Sequence, residues 1–294
     1  MAVNSSGEPI SVRQVVAQDK QQLASLIHFE THVHRHLDWR APLDWIGFSP
    51  GLVVERSGNL LAALIAPPDP PEIAWIRLFA VSAHLSVDDA WDLLWTEARR
   101  WLSQTPELVV AAIPLHGWFC DVLVASGYQH VNDVIMLQWE TGHPIPELPA
   151  TACRLRSMNQ DDLLAVEELD RLAFGPLWRN SLDSLQLAFR QAAIATVAEF
   201  EDRLAGYQIS TPSPLGGHLA RLAVHPQRQG MGIGSSLVVD TLRLFLQRGA
   251  QRVTVNTQGD NLASIHVYQN TGFQRTDEIY PVYLYRLAEP PVSL

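Results

Sequence analysis

The chain has 294 residues, 47% of them hydrophobic and 18% charged, with a formal net charge of -10. That length predicts two domains of about 150 residues. The acidic balance argues against nucleic acid, which selects a basic footprint, and admits a cationic or amine partner. No apolar run reaches the ~20 residues that span a bilayer, and the polar first residues lack a secretory apolar core, so no membrane partner and a cytoplasmic location are expected. Cys120 and Cys153 fit no metal or disulfide spacing and read as buried thiols.

In chain order, Val12-Arg13 leads into a helical run through Ile27, and four histidines follow at 28, 32, 34 and 36. Alternating histidines suit either a metal or a polar wall of a recognition loop, to which Trp39 and Trp45 would add. Val54 to Ala62 reads as strand, tight turn and strand, Phe79-Ala80-Val81 as a buried strand, and Ser86 to Trp91 as a helix start carrying Asp88 and Asp89. Ser126-Gly127-Tyr128-Gln129 closes the half.

The second half repeats this layout. Leu155-Arg156 and a helix over 160–173 answer the first strand and helix, and Ala198 to Gly206 aligns with Val54 to Ala62 at an offset of 144. Leu222-Ala223-Val224 answers 79–81, and Thr271-Gly272-Phe273-Gln274 answers 126–129. Four matches in order imply two homologous domains, 1–143 and 152–294. They are joined by a proline-interrupted linker at about 142–151. The fold class expected is a mixed α/β (α+β) sheet flanked by helices in each domain, with closing strands near 273–275 and 280–286.

Between the apolar strand ending at Val224 and a helix over 232–248 lies Gln229-Gly230-Met231-Gly232-Ile233-Gly234-Ser235. A glycine-rich strand-to-helix turn offers free N–H groups and the positive end of a helix dipole to phosphate. Downstream stands Asn261-Leu262-Ala263-Ser264, then Tyr268 and Gly272-Phe273. Taken alone, the glycines also suit close helix packing, Tyr268 a core aromatic, and Asn261 a helix cap.

Together the two segments resemble the GNAT superfamily of acyl-CoA-dependent N-acyltransferases. The resemblance rests on Gln229, Gly232 and Gly234 of one motif and Asn261, Ser264, Tyr268 and Gly272-Phe273 of the other. An overlapping frame from Gln227 fits the first motif less well relative to Pro226. The resemblance implies acetyl-CoA as cosubstrate, with no metal. The amides of Gly230, Met231, Gly232, Ile233, Gly234 and Ser235 would hold pyrophosphate, and Leu222, Ala223 and Val224 would offer backbone to pantetheine. Asn261 and Ser264 would line the pantetheine arm, and Tyr268 would protonate the departing thiolate.

Where ribosomal-protein alanine N-acetyltransferases of that superfamily carry a glutamate base, this chain has Asn256. Phe174 to Trp178 nevertheless resembles their acceptor-side loop, although Trp178 also suits loop packing. Glu199, Glu201, His225 or water remain as bases. In the first half, Ser86 to Trp91 stands across from Gln229 to Gly234 without a glycine, Leu123 stands opposite Tyr268, and His116 opposite Asn261. The function expected is acetyl transfer to a primary amine in the second domain alone, by a monomer or homodimer. The alternative is a non-catalytic acyl-CoA-binding module, which would need the glycine turn but no proton donor.

Overall fold

The computed structural model describes residues 9–105, 107–147 and 153–287, so residues 148–151 of the expected linker lie outside the described residues. Two compact units are formed, residues 1–131 with 281–294 and residues 132–280. This division falls upstream of the proline-rich stretch, because hydrogen-bond partners decide to which unit a strand belongs. Among the described residues no helix is long and apolar enough to cross a membrane. Cys120 and Cys153 are each half-buried rather than buried.

The first unit comprises β1 (Ser11–Gln14), α1 (Lys20–Phe29), β2 (His32–Arg35), β3 (Gly51–Arg56), β4 (Asn59–Ile65), β5 (Ile73–Trp75), β6 (Leu78–Val81), α2 (Val87–Leu102), β7 (Val109–Ala112), α3 (Gly117–Ala125) and the start of β8 (Gln129–Glu140). One sheet runs β1-β3-β4-β6-β2, while β5 pairs in parallel with β7. Trp91, Leu94, Trp95, Ala98 and Leu102 recur at helical spacing and bury one face of α2 against Leu52, Phe79 and Val81. That amphipathic stripe is what docks the helix on the sheet.

The second unit continues with β9 (Arg154–Ser157), α4 (Leu163–Ala173), α5 (Leu182–Gln191), β10 (Ile194–Phe200), β11 (Arg203–Ser213), β12 (Gly216–Val224), α6 (Ile233–Gln247), β13 (Arg252–Gln258), α7 (Leu262–Asn270) and the start of β14 (Gln274–Arg286). The two closing strands expected near 273–275 and 280–286 are one continuous strand, β14. Its last residues, Tyr283 to Arg286, pair with β7 of the first unit, whereas Val134 to Glu140 of β8 pair with β13. The sheet β8-β13-β12-β11-β10-β9 is antiparallel except for the parallel pair β12 and β13. Val253, Val255 and Thr257 alternate inward along β13, and the first two pack under α6 with Val238, Leu242 and Phe245.

The duplication extends to side chains. In the first unit Arg13 donates to Asp19 at 2.7 Å and to Glu55 at 2.6 Å. In the second, Arg156 donates to Asp162 at 2.7 Å and to Glu199 at 2.8 Å. The hairpins β3–β4 and β10–β11 shift register at corresponding places, Val54/Glu55 and Ala198/Glu199. Their turns use left-handed residues at Ser57 and Gly58 and at Glu201 and Asp202. The helix pairs α2/α6 and α3/α7 follow in the same order.

Candidate active site

The site is built on a strand that splits from its neighbour. The rungs between β12 and β13 run from Gly216↔Arg252 to Leu219↔Val255 and stop there. On its other edge β12 stays paired with β11 through Val224, but the register shifts at Ile209/Ser210, leaving Ala220 as an extra residue. Such a bulge bends its strand and re-aims the side chains that follow. Leu222, Ala223 and Val224 therefore leave the apex of a V as extended backbone, with one edge hydrogen-bonded to β11 and no rung to β13.

At the open end of the V the chain makes a turn over Pro226–Arg228, in which His225 Nδ1 accepts the Gln227 amide at 3.2 Å. Gln229 donates its side-chain amide to Val224 O at 3.4 Å. Gly230 and Gly232 then take φ of 76° and 77°, the left-handed region that glycine adopts without strain. Gly232 is the N-cap of α6, which places the motif counted from Gln229 with one glycine at the cap and Gly234 in the first turn. A Cβ at Gly230 would meet nothing within 4 Å, whereas one at Gly234 would meet Val224 and Val267 at 3.6 and 3.8 Å. The first leaves room for an anion beside backbone, and the second keeps the first turn close to α7. Ile233 is buried with Ala198, Ala205 and Leu237 and anchors the helix start, while Met231 is exposed. The opening amides of α6, through Ser235, have no intrahelical partner by helix geometry, so the turn fits a pyrophosphate.

On α7, Tyr268 is 3% exposed and packs with Phe273. Burial pushes its phenol well above the ordinary range, opposed by the charge of Arg221, so it holds its proton at neutral pH. Asn261 caps the helix, its Oδ1 accepting the Ser264 amide at 3.1 Å.

The opposite face of the sheet carries a cluster that the motifs did not reveal. Asp170 on α4, fully buried, accepts from Arg221 Nε and Nη2 at 2.8 Å each, from the Tyr207 hydroxyl, and from the Asn180 amide at 2.8 Å. The Arg221 guanidinium lies 3.6 Å from the centre of the Phe174 ring. Burial alone would lower the Arg221 pKa, but Asp170 and Tyr207 outweigh it and hold the charge. The cluster thereby fastens the segment 174–180 to β12, one residue from Leu222. Two anomalies mark it in the sequence: an acid on the apolar stripe Leu163, Val166, Leu169, and an arginine inside an apolar strand.

The candidate bases fare unequally. Glu199 is tied to Arg156 and Arg154, which hold its carboxyl below the usual range and make it a poor proton acceptor. Glu201 is exposed and meets Arg228 at 3.1 Å. His225 spends its Nδ1 lone pair on the Gln227 amide.

In the first unit the same V is filled by the chain itself. β5 and β7 pair from Ile73↔Val109 onward, 143 residues before Gly216↔Arg252. β6 then departs, and its free edge is taken by β2, from His32↔Val81 to Arg35↔Leu78. His36 N donates to Arg77 O at 3.0 Å, and Arg77 pairs with Asp38 at 2.9 Å, both side chains buried. His32, His34 and His36 thus belong to a plug, in which His34 stacks on Phe119 at 4.3 Å and His36 on Trp75 at 4.8 Å, while His28 lies exposed on α1. Among the described residues no cluster of metal-ligating side chains occurs. The helix caps also realign the comparison, setting Ser86 against Gly232 and not against Gln229. Ser86 accepts the Asp89 amide at 3.1 Å and closes the α2 start on itself. His116 caps α3 by backbone where Asn261 caps α7, and Leu123 is buried at the place of Tyr268.

Comparison with known proteins agrees with this geometry. Residues 163–273 match the acetyltransferase (GNAT) family. Seventy residues are 36% identical to N-alpha-acetyltransferase 30 of Schizosaccharomyces pombe, covering 24% of this chain and 47% of that protein. Ninety residues are 34% identical to a mycothiol acetyltransferase of Saccharopolyspora erythraea, covering 30% of each. The matches thus span half or less of those relatives' lengths. Among solved structures, a GCN5-related N-acetyltransferase from Sphaerobacter thermophilus covers 97% of this chain and 98% of its own at a TM-score of 0.64 and 15% identity. A tandem GNAT protein from the clavulanic acid biosynthesis pathway covers 96% and 100% at 0.66 and 17%. The fold is that of such tandem proteins, and residues 163–273 carry a domain of the GNAT acetyltransferase family.

Proposed function

We propose that the second domain, 152–294, transfers an acetyl group from acetyl-CoA to a primary amine, and that the first, 1–143, is a degenerate GNAT-like domain that binds no acyl-CoA. The observation that carries this reading is the splayed pair β12 and β13, open beyond Leu219↔Val255, with the left-handed glycine turn at its mouth. Leu222 to Val224 would pair with pantetheine as an added strand and Gly230 to Ser235 would hold the pyrophosphate. Asn261 and Ser264 would line the arm, with Asn261 also serving as helix cap. The amine nitrogen attacks the thioester carbon, the C–N bond forms, the nitrogen gives up one proton to water, and the C–S bond breaks with its electron pair on sulfur. Tyr268, protonated and buried, would give its proton to that thiolate. Acetyl-CoA and an amine are the partners of this reading, in a cytoplasmic monomer or homodimer with no nucleic acid, membrane or metal required.

A panel of primary amines assayed for CoA release tests transfer directly, and a module that only binds acyl-CoA would release none from any of them. The phosphate assignment is tested with Gly232→Asp, which sets a carboxylate against the pyrophosphate at a left-handed position, φ 77°, where any side chain is also strained. The unmutated chain is expected to melt higher with acetyl-CoA and the variant not to respond. Equal shifts would remove the assignment.

A further inference from the structure

We infer that Asn256 positions the acceptor amine, its side-chain carbonyl accepting one N–H of the uncharged nucleophile at the apex of the V. The inference rests on the acetyl-transfer reading above. Asn256 is the first residue of β13 beyond the last rung, Leu219↔Val255. Its Oδ1 is buried without a hydrogen-bond partner among the described residues. A buried amide oxygen lacking a donor is costly, and a site that keeps one is a site where a donor arrives.

The face of the strand agrees. Val253 and Val255 point to α6, so Thr254 and Asn256 lie on the other side of the sheet. A Cβ on Gly206 would meet Ile233 and Leu237 of α6 at 3.1 Å, so its neighbour Tyr207, which donates to Asp170, points to that same other side. The orphan oxygen and the cluster holding the segment 174–180 therefore share one face, at the point where β12 and β13 separate.

A carboxamide oxygen accepts a hydrogen bond but takes no proton near neutral pH. The nucleophile must therefore arrive uncharged, its lone pair directed at the thioester by the N–H held on Asn256. As the C–N bond forms and the C–S bond breaks, the thiolate takes the proton of Tyr268 and the nitrogen releases its own to water. Acceptors of low amine pKa are favoured: at pH 7.5 an α-amine is uncharged roughly 250-fold more often than a lysine side chain.

The test measures kcat/KM for a panel of primary amines with pKa from about 7.5 to 10.5, peptides with a free N-terminal alanine among them, with acetyl-CoA affinity measured separately. With the unmutated chain, kcat/KM at pH 7.5 is expected to fall as amine pKa rises. Asn256→Ala is expected to lower kcat/KM for the acceptor about 10- to 100-fold while acetyl-CoA affinity stays within about threefold. Asn256→Asp, which restores an acceptor oxygen and adds a group able to take the proton, is expected to recover turnover and move the acid limb of the pH profile downward. If Asn256→Ala does not fold, Asn256→Thr, which keeps strand propensity, takes its place. A variant within twofold of the unmutated chain, or equal losses of turnover and acetyl-CoA affinity, overturns the positioning role, and equal use of amines across the pKa range overturns the requirement for an uncharged acceptor. No CoA release by the unmutated chain from any amine overturns the acetyl-transfer reading and this inference with it.

Discussion

Replacing Arg221 by methionine would leave Asp170 fully buried with, among the described residues, the Tyr207 hydroxyl and the Asn180 amide as its remaining donors. Removing one partner of a buried ion pair costs about 3–5 kcal/mol, because the remaining carboxylate keeps its desolvation and loses its counter-charge. The loss of the guanidinium from the Phe174 face, now 3.6 Å from the ring centre, adds about 1 kcal/mol. In a unit of about 150 residues each kcal/mol moves the midpoint by about 2–4 °C, so a fall on the order of 8–24 °C is expected. Hydrogen exchange followed at the β11 and β12 amides reports the second unit separately from the first. The double variant Arg221→Met/Asp170→Leu removes both charges and is expected to regain most of the loss. A single variant that costs under about 1 kcal/mol would refute the reasoning, since it would mean that the pair is effectively solvated.

Three further expectations follow from the same geometry. Tyr268→Phe is expected to lower kcat about 100-fold or more with acetyl-CoA affinity nearly unchanged, and unchanged turnover in a stopped CoA-release assay would exclude the acid role. Calorimetric titration with acetyl-CoA is expected to give one site per chain, because β2 occupies the edge of β6 and Ser86 closes the α2 start; two equivalent sites would contradict the plug. His34 titrates near pH 4 because burial disfavours its charge, opposed by a bond to Ile76 O. The unfolded chain, with an ordinary histidine pKa near 6.5, binds the proton first, so this stabilisation is complete above about 6.5 and is lost as pH falls towards 4, up to about 3 kcal/mol. Urea unfolding of His34→Phe should show a correspondingly shallower decline over that window, and an identical slope would dismiss the histidine as its source.

Much of the fold was legible because duplication leaves local marks. The strand-turn-strand at Val54 to Ala62 and its counterpart at Ala198 to Gly206 share spacing that survives side-chain change, and both form hairpins with corresponding bulges. The glycine turn was legible because φ of 76° and 77° selects glycine. The Asp170–Arg221 pair was not, because its members lie 51 residues apart and neither belongs to a motif. The histidines at 28, 32, 34 and 36 were read as a metal site or a recognition wall, and the last three lie on the strand segment that fills the V while His28 sits on α1. Alternation along four residues fixes their faces but does not say which edge the strand joins.

The sequence by itself determined the repeat, the helices and most strands of the second half, the glycine turn and the tyrosine on its helix. These depend on local spacing, on caps and on backbone freedom, all of which a chain carries in its order. Tertiary structure alone decided that β12 parts from β13 after Leu219, that β2 closes the corresponding gap in the first unit, and that the Asn256 Oδ1 finds no donor among the described residues at the apex. Those features depend on which strand edges find hydrogen-bond partners across long separations, and a strand's periodicity is the same whether its edge is paired, plugged or left open.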